Sequence, residues 1–227
     1  MSVGAVTFED LVRVPADVFD LQKFRAWAHS DDFPETGNIS FIDGEIEIDM
    51  SFEELSSHNR VKRDLSTDLN VFVREADVGE LLVDGAFLVN KAARLATEPD
   101  LMFCTWQTLR AGRVEFAPSV AGSDRMVEVR GSPDLVCEIV SQGSVRKDTV
   151  RLRNAYFDSG VREYWLIDAR GKAVDFQILT RGKKEYVAIK PDAEGFLRSP
   201  VLRRHFRIVR RQNQVGGACY RVLSRSR

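Results

Sequence analysis

The sequence predicts an α/β domain built on a mixed sheet, and three features carry that reading. An Asp43-Gly44 pair joins two alternating apolar segments, the preferred composition of a tight two-residue hairpin turn. After Met50 a long stretch carries His58, Val61, Leu65, Leu69, Phe72 and Ala76 at the 3.6-residue spacing of a helix with one apolar face. Beyond Pro133 a strand-like run, a helix-like run closed by Gly160 and a second strand-like run follow in order, the pattern of a right-handed crossover between parallel strands.

The elements follow in chain order. Thr7 stands where it would cap a helix over TFEDLVRV, Pro15 interrupts, and a second helix over 19–28 places Leu21, Phe24 and Ala28 on one face, so residues 1–37 form an expected N-terminal helical extension ending in the linker DDFPETG. The hairpin takes 39–42 and 46–48. Ser51, with Glu54 three residues on, has the spacing of a capping box at the head of the long helix, and Gly79 marks its end. Short strands are expected over 80–83, 86–90, 100–104 and 114–116. DLVCEIVS (134–141) is the clearest strand; a helix over 147–159, a strand over 162–168 and a terminal hairpin over 174–179 and 186–189 follow. The expected organisation is a main domain over 38–211 and a basic tail over 212–227.

Composition narrows the class. The 227 residues are 44% hydrophobic and 30% charged, ordinary globular values that exclude a collagen-like, rod-like or wholly disordered chain. No apolar run approaches the ~20 residues of a membrane span, and the N-terminus lacks the basic-then-apolar pattern of a secretory signal. Cys104, Cys137 and Cys219 are scattered and form no CxxC, so structural zinc is not expected and a reducing cytoplasm is. The net charge of −1 hides an asymmetry: residues 198–227 hold nine arginines and no acid, leaving the rest acidic. Such a tail can seek phosphate backbones or fold back onto the body.

Walker, GxGxxG, HExxH and GxSxG motifs are absent. Acids in costly places remain. In DLVCEIVS, Asp134, Val136, Glu138 and Val140 share one strand face, and both faces are apolar, as in an interior strand. Glu138 therefore needs a metal cation, a basic side chain or a proton to offset a burial cost of several kcal/mol, ~2–7 for an unpaired polar group. Asp100 opens its strand after Pro99, as Asp134 follows Pro133. If these strands are neighbours, ~4.8 Å apart, Asp100 and Glu138 can share one hard divalent ion. Asp134, four residues before Glu138 and so roughly 13 Å away along the strand, reads as a strand-entry residue.

The segment SPDLVCEIVSQGSVRKDTVRLRNAYFDSGVREYWLID, with EPDLMF, SSHNR and IDGEIEIDM before it, resembles the Uma-two family of restriction endonucleases in the PD-(D/E)xK nuclease superfamily. The likeness spans about residues 38–210, and its most specific parts are the paired PDL strands and GVREYWLID. It implies an αβββαβ restriction-endonuclease-like core with a mixed central sheet flanked by helices, a Mg²⁺ or Mn²⁺ cofactor, and phosphodiester hydrolysis. By the same resemblance Asp100 and Glu138 fall on the metal-binding acid positions, Asp134 on the second PD pair, and His58 on a histidine of the first core helix. The family's lysine lies four residues beyond an aspartate and four before a tyrosine; Asp148 and Tyr156 match, but Leu152 stands between them, and Val140 occupies the superfamily's other lysine position. Lys147 and Arg151, one turn apart beside the vacancy, are the cations available to replace it; Arg151, permanently protonated, would stabilise charge without taking a proton.

The functional expectation is a metal-dependent endodeoxyribonuclease whose partner is the DNA phosphate backbone, with a homodimer as an open option and no membrane. Its alternative is a nuclease-fold protein without catalysis that binds nucleic acid or a protein, the reading Leu152 favours.

Overall fold

A computed structural model describes residues 5–8, 12–119 and 125–226. The chain begins with an antiparallel pair, β1 (Ala5–Phe8) and β2 (Val12–Pro15), followed by α1 (Leu21–Ala28). Where a helix is expected over 7–14, the described residues 7–8 and 12–14 are strand, with 9–11 outside the described residues, and among the described residues of the extension over 1–37 α1 is the helix. In β2 the β-branched Val12 and Val14 are buried and Arg13 is exposed, a period of two that outweighs the helical spacing. Asp20 caps α1, accepting from the Gln22 and Lys23 amides at 2.9 and 3.3 Å.

The predicted hairpin is β3 (Asn38–Ile42) and β4 (Glu45–Asp49). Asp43 and Gly44 both take positive φ, 49° and 88°, which is what a type I′ turn requires. A π-helical turn, Leu55–Asn59, runs without a break into α2 (Arg60–Ala76), which buries Val61, Leu65, Leu69 and Val73. The cap is Glu54, bonded to the Ser57 amide; Ser51 instead donates its hydroxyl to Asp49 Oδ1 at 2.6 Å. The left-handed stop is Asp77 (φ 47°) rather than Gly79. Gly79 is required for another reason: a Cβ there would lie 2.1 Å from the Cys104 carbonyl oxygen of the neighbouring strand.

The chain continues through β5 (Gly79–Val83), β6 (Phe87–Asn90), β7 (Leu95–Thr97), β8 (Leu101–Thr105), α3 (Trp106–Arg110), β9 (Val114–Pro118), β10 (Met126–Gly131) and β11 (Leu135–Ile139). A second π-helical stretch, Lys147–Leu152, then leads into α4 (Arg153–Asp158), and Gly160 (φ 84°) closes it as expected. β12 (Glu163–Asp168), β13 (Asp175–Arg181) and β14 (Tyr186–Ala188) complete the predicted strands, but their hairpin is not terminal. β15 (Leu197–Ser199), β16 (Arg204–Gln212) and β17 (Ala218–Arg225) follow as a three-stranded sheet, so the basic C-terminal segment folds back. The Tyr220 and Val222 amides donate to Asp64 and Asp68 of α2, both at 2.8 Å.

The central sheet has the order β14-β13-β12-β11-β8-β5, and β11 and β12 are its parallel pair. Taken in chain order, α2, β5, β8, β11, the π/α4 helix and β12 give the αβββαβ succession. A second sheet, β4-β3-β7-β6-β10-β9, stands beside it. On one face Leu135, Cys137 and Ile139 pack with Leu65 and Leu69 of α2 and Phe206 of β16; on the other Val136 and Val140 pack with Leu152, Tyr156 and Leu88. Strand β11 is thus covered on both sides, as its unbroken apolar run implied. No helix among the described residues is long and apolar enough to cross a membrane.

Candidate active site

The register of β8 on β11 builds the site. Phe103, Met102 and Leu101 pair with Leu135, Val136 and Cys137, so Asp100, one step beyond the last bridge, stands opposite Glu138. Where the strand ladder stops, the Asp100 side chain continues it: Oδ2 accepts the Ile139 amide at 2.7 Å. Both acids line one cavity of about 630 Å³, together with His58, Lys62, Lys147 and Asp148. His58 comes from the first π-helical turn, and Lys147 and Asp148 come from the second. Such local widenings of a helix recur at functional sites.

Asp100 is held by cations. Lys62 Nζ is 3.1 Å from its Oδ1 and His58 Nε2 is 3.5 Å from its Oδ2. Burial favours the neutral acid, but the His58 hydrogen bond and charge, the Lys62 ammonium and the Ile139 amide outweigh it and keep the carboxyl below its ordinary range. His58 also reaches Glu53 at 2.8 Å through Nδ1. Burial lowers its pKa, and the bonds to Asp100 and Glu53 more than restore it. Burial opposes ionisation of Glu53 too, yet hydrogen bonds from Lys62, Asn59 and His58 pull it down to about 2.

Glu138 is in the opposite condition. It is 4% exposed, and its hydrogen bond comes from the neutral Tyr156 hydroxyl. Burial, then the charges of Asp148 and Asp100, push its pKa well up, only partly offset by Lys147 and Tyr156. Asp148 is raised to about 6, chiefly by burial, against the pull of Lys147 and a Ser144 hydrogen bond. Its Oδ1 is buried without a hydrogen bond, 3.8 Å from Lys147 Nζ. Lys147 is itself raised, burial being outweighed by Glu138, Asp148 and Asp100. Three buried carboxylates therefore face a cavity in which Glu138 has no cation in direct contact.

Of the residues singled out from sequence, Asp100, Glu138, His58 and Lys147 converge; Asp134 and Arg151 lie elsewhere. Asp134, at the opposite end of β11, accepts from the Thr105 amide (2.7 Å), Thr108 Oγ1 (2.8 Å) and Arg162 Nη2 (2.6 Å), and so ties α3 to the start of β12. Arg151 is taken by the β3–β4 hairpin, pairing with Glu47 and, at 2.8 Å, with Glu45, and lines a separate hollow. Leu152 is fully buried in the core. Lys62, Asp148 and Glu53 were not singled out as site residues. Lys62 was the most findable, since it follows His58 by four residues and shares its helix face. Among the described residues no three His, Cys, Asp or Glu side chains form a preformed metal site. The donor set present, two hard carboxylates beside an orphaned carboxylate oxygen, suits Mg²⁺, which takes one or two protein carboxylates and fills its shell with water and phosphate.

No curated protein matches the chain. Among solved structures, it is similar to the crystal structure of a "putative nuclease belonging to DUF820" from Anabaena variabilis, at 16% identity and a TM-score of 0.57 over 81% of this chain and 90% of that one. That likeness shows a common fold, in keeping with the restriction-endonuclease-like succession of elements described above. A family model described as "Putative restriction endonuclease" matches residues 21–209, and on that span the chain belongs to the Uma2 family.

Proposed function

We propose that the protein is a metal-dependent endonuclease that hydrolyses DNA phosphodiester bonds, with Asp100 and Glu138 holding Mg²⁺ or Mn²⁺. The observation that carries this reading is the apposition of the two carboxylates across β8 and β11, inside a cavity that also holds Lys147. Such an ion, when bound, lowers the pKa of a coordinated water and offsets charge on the phosphate. Lys147 takes the electrostatic role left open by Leu152: its ammonium sits among Glu138, Asp148 and Asp100, where it can neutralise charge building on a phosphate. His58 and Lys62 orient Asp100 and keep it ionised. Buried Leu152, standing where the family's lysine would, favours the second reading, a non-catalytic member that binds nucleic acid or protein.

Supercoiled plasmid with Mn²⁺ separates the two. The wild type is expected to nick it, and Asp100→Asn, Glu138→Gln and Lys147→Met are each expected to lose about 10²-fold or more in rate. Identical traces for wild type and all three variants would overturn the enzyme and leave the binder.

A further inference from the structure

Outside the acid cavity, the turn after β12 and the β16–β17 hairpin enclose an open cleft of about 900 Å³. Arg170, Lys172, Arg210 and Arg211 line it beside Gly, Gln and Ala, with no carboxylate. Two of these cations are already positioned. Arg170 donates to both oxygens of Asp168 (3.0 and 2.7 Å) and to Gln142 Oε1 at 3.3 Å. Arg210 donates through Nη1 to the Gly171 carbonyl at 2.7 Å, with its guanidinium 5.9 Å from the Tyr220 ring centre. A guanidinium carries five N–H donors, so Nε and Nη2 of Arg210 stay available. Lys172 and Arg211 are exposed and have no acidic partner among the described residues.

We propose that this cleft binds the sugar–phosphate backbone of nucleic acid and presents the strand to the acid cavity; the identity of the occupant rests on the endonuclease reading. Concave shape and three cations with no carboxylate partner among the described residues, Lys172, Arg210 and Arg211, match a polyanionic strand, and the pre-positioned Arg210 guanidinium lowers the ordering cost of gripping a phosphate. A membrane surface instead recruits large apolar side chains beside its cations, and the cleft lining has none. The link to the cavity is physical: Arg170 bonds Gln142, which lies between Ser141 and Ser144 on the cavity wall. An otherwise acidic body needs such a surface for a polyanion to approach.

The test measures binding of a fluorescent 20-bp duplex to the full chain in EDTA, from 50 to 200 mM salt. Each phosphate contact contributes about 0.9 to the slope of log affinity against log salt. The Lys172→Gln/Arg211→Gln variant should lower that slope by about 1.8, so its deficit at 50 mM shrinks about tenfold by 200 mM. Its melting temperature and its rate on bis(p-nitrophenyl) phosphate with Mn²⁺ should match the wild type, because neither residue lines the acid cavity. Equal slopes for variant and wild type would overturn the cleft, as would salt-sensitive binding to phosphatidylserine vesicles with none to the duplex. A changed slope in a protein inert toward the small diester would support the cleft and sink the hydrolytic reading instead.

Discussion

Glu128 of β10 and Glu138 of β11 are the same residue type, on interior strands, at 2% and 4% exposure, yet their surroundings are opposite. Glu128 is saturated with positive charge: Arg25 grips it through Nε and Nη2 at 2.8 and 2.7 Å, and Arg130 Nε adds a contact at 2.6 Å. Glu138 has a tyrosine hydroxyl and two like-charged neighbours. One is a brace between α1 and the second sheet; the other is a carboxylate short of a cation, and it opens onto a cavity. Burial alone does not distinguish a structural acid from a reactive one. The charge balance around it does.

The largest effect that would sharpen this contrast is on stability at the brace. Arg25→Met removes the bidentate partner and leaves a buried carboxylate poorly paired, which should cost about 3–5 kcal/mol in denaturant unfolding; a loss under about 1 kcal/mol would make Glu128 as loosely held as Glu138. A smaller effect concerns acid. Burial opposes ionisation of Glu128, but Arg25 and Arg130 hold its folded pKa below the ordinary 4.5. Its contribution is therefore full above pH 4.5 and disappears as pH falls through the lower folded value. Acid unfolding of Glu128→Gln should lack that part of the pH dependence. The smallest effect is on the stability of Glu138→Gln, which relieves repulsion while keeping an acceptor for Tyr156; its unfolding free energy should stay within about 1 kcal/mol of wild type, even as nicking is lost. A large destabilisation there would break the comparison and make Glu138 a second brace.

Much of the frame was legible because local chemistry and burial agree there. Asp43-Gly44 permits one kind of turn, the stripe of α2 has one period, and β11 is apolar on both faces because both are covered. The N-terminal hairpin was misread because VRV alternates for too few residues to compete with a cap-like Thr7. β7 is three residues long and β10 carries charges, so neither offered a pattern. Within the site, Asp100 and Glu138 were legible as acids in expensive positions. The choice between Lys147 and Arg151 was not, since it depends on Glu45 and Glu47, which lie more than a hundred residues upstream and claim the arginine. Asp134 shares Glu138's strand face, but its place four residues earlier already marks it as a strand-entry residue, and at that end of the strand Thr105, Thr108 and Arg162 hold it.

The pairing of β8 with β11 has a consequence for how such a centre can change over time. Its two acids owe their proximity to a ladder that moves only in whole residues, ~3.3 Å at a time, and not to a pliable connection. Displacement by one position would bring Pro99 or Leu101 beside Glu138 and turn an entire set of core side chains around. Gradual detuning of that spacing is therefore closed to this architecture: a descendant can abandon the chemistry by exchanging a side chain, while the distance itself is conserved for as long as the sheet folds.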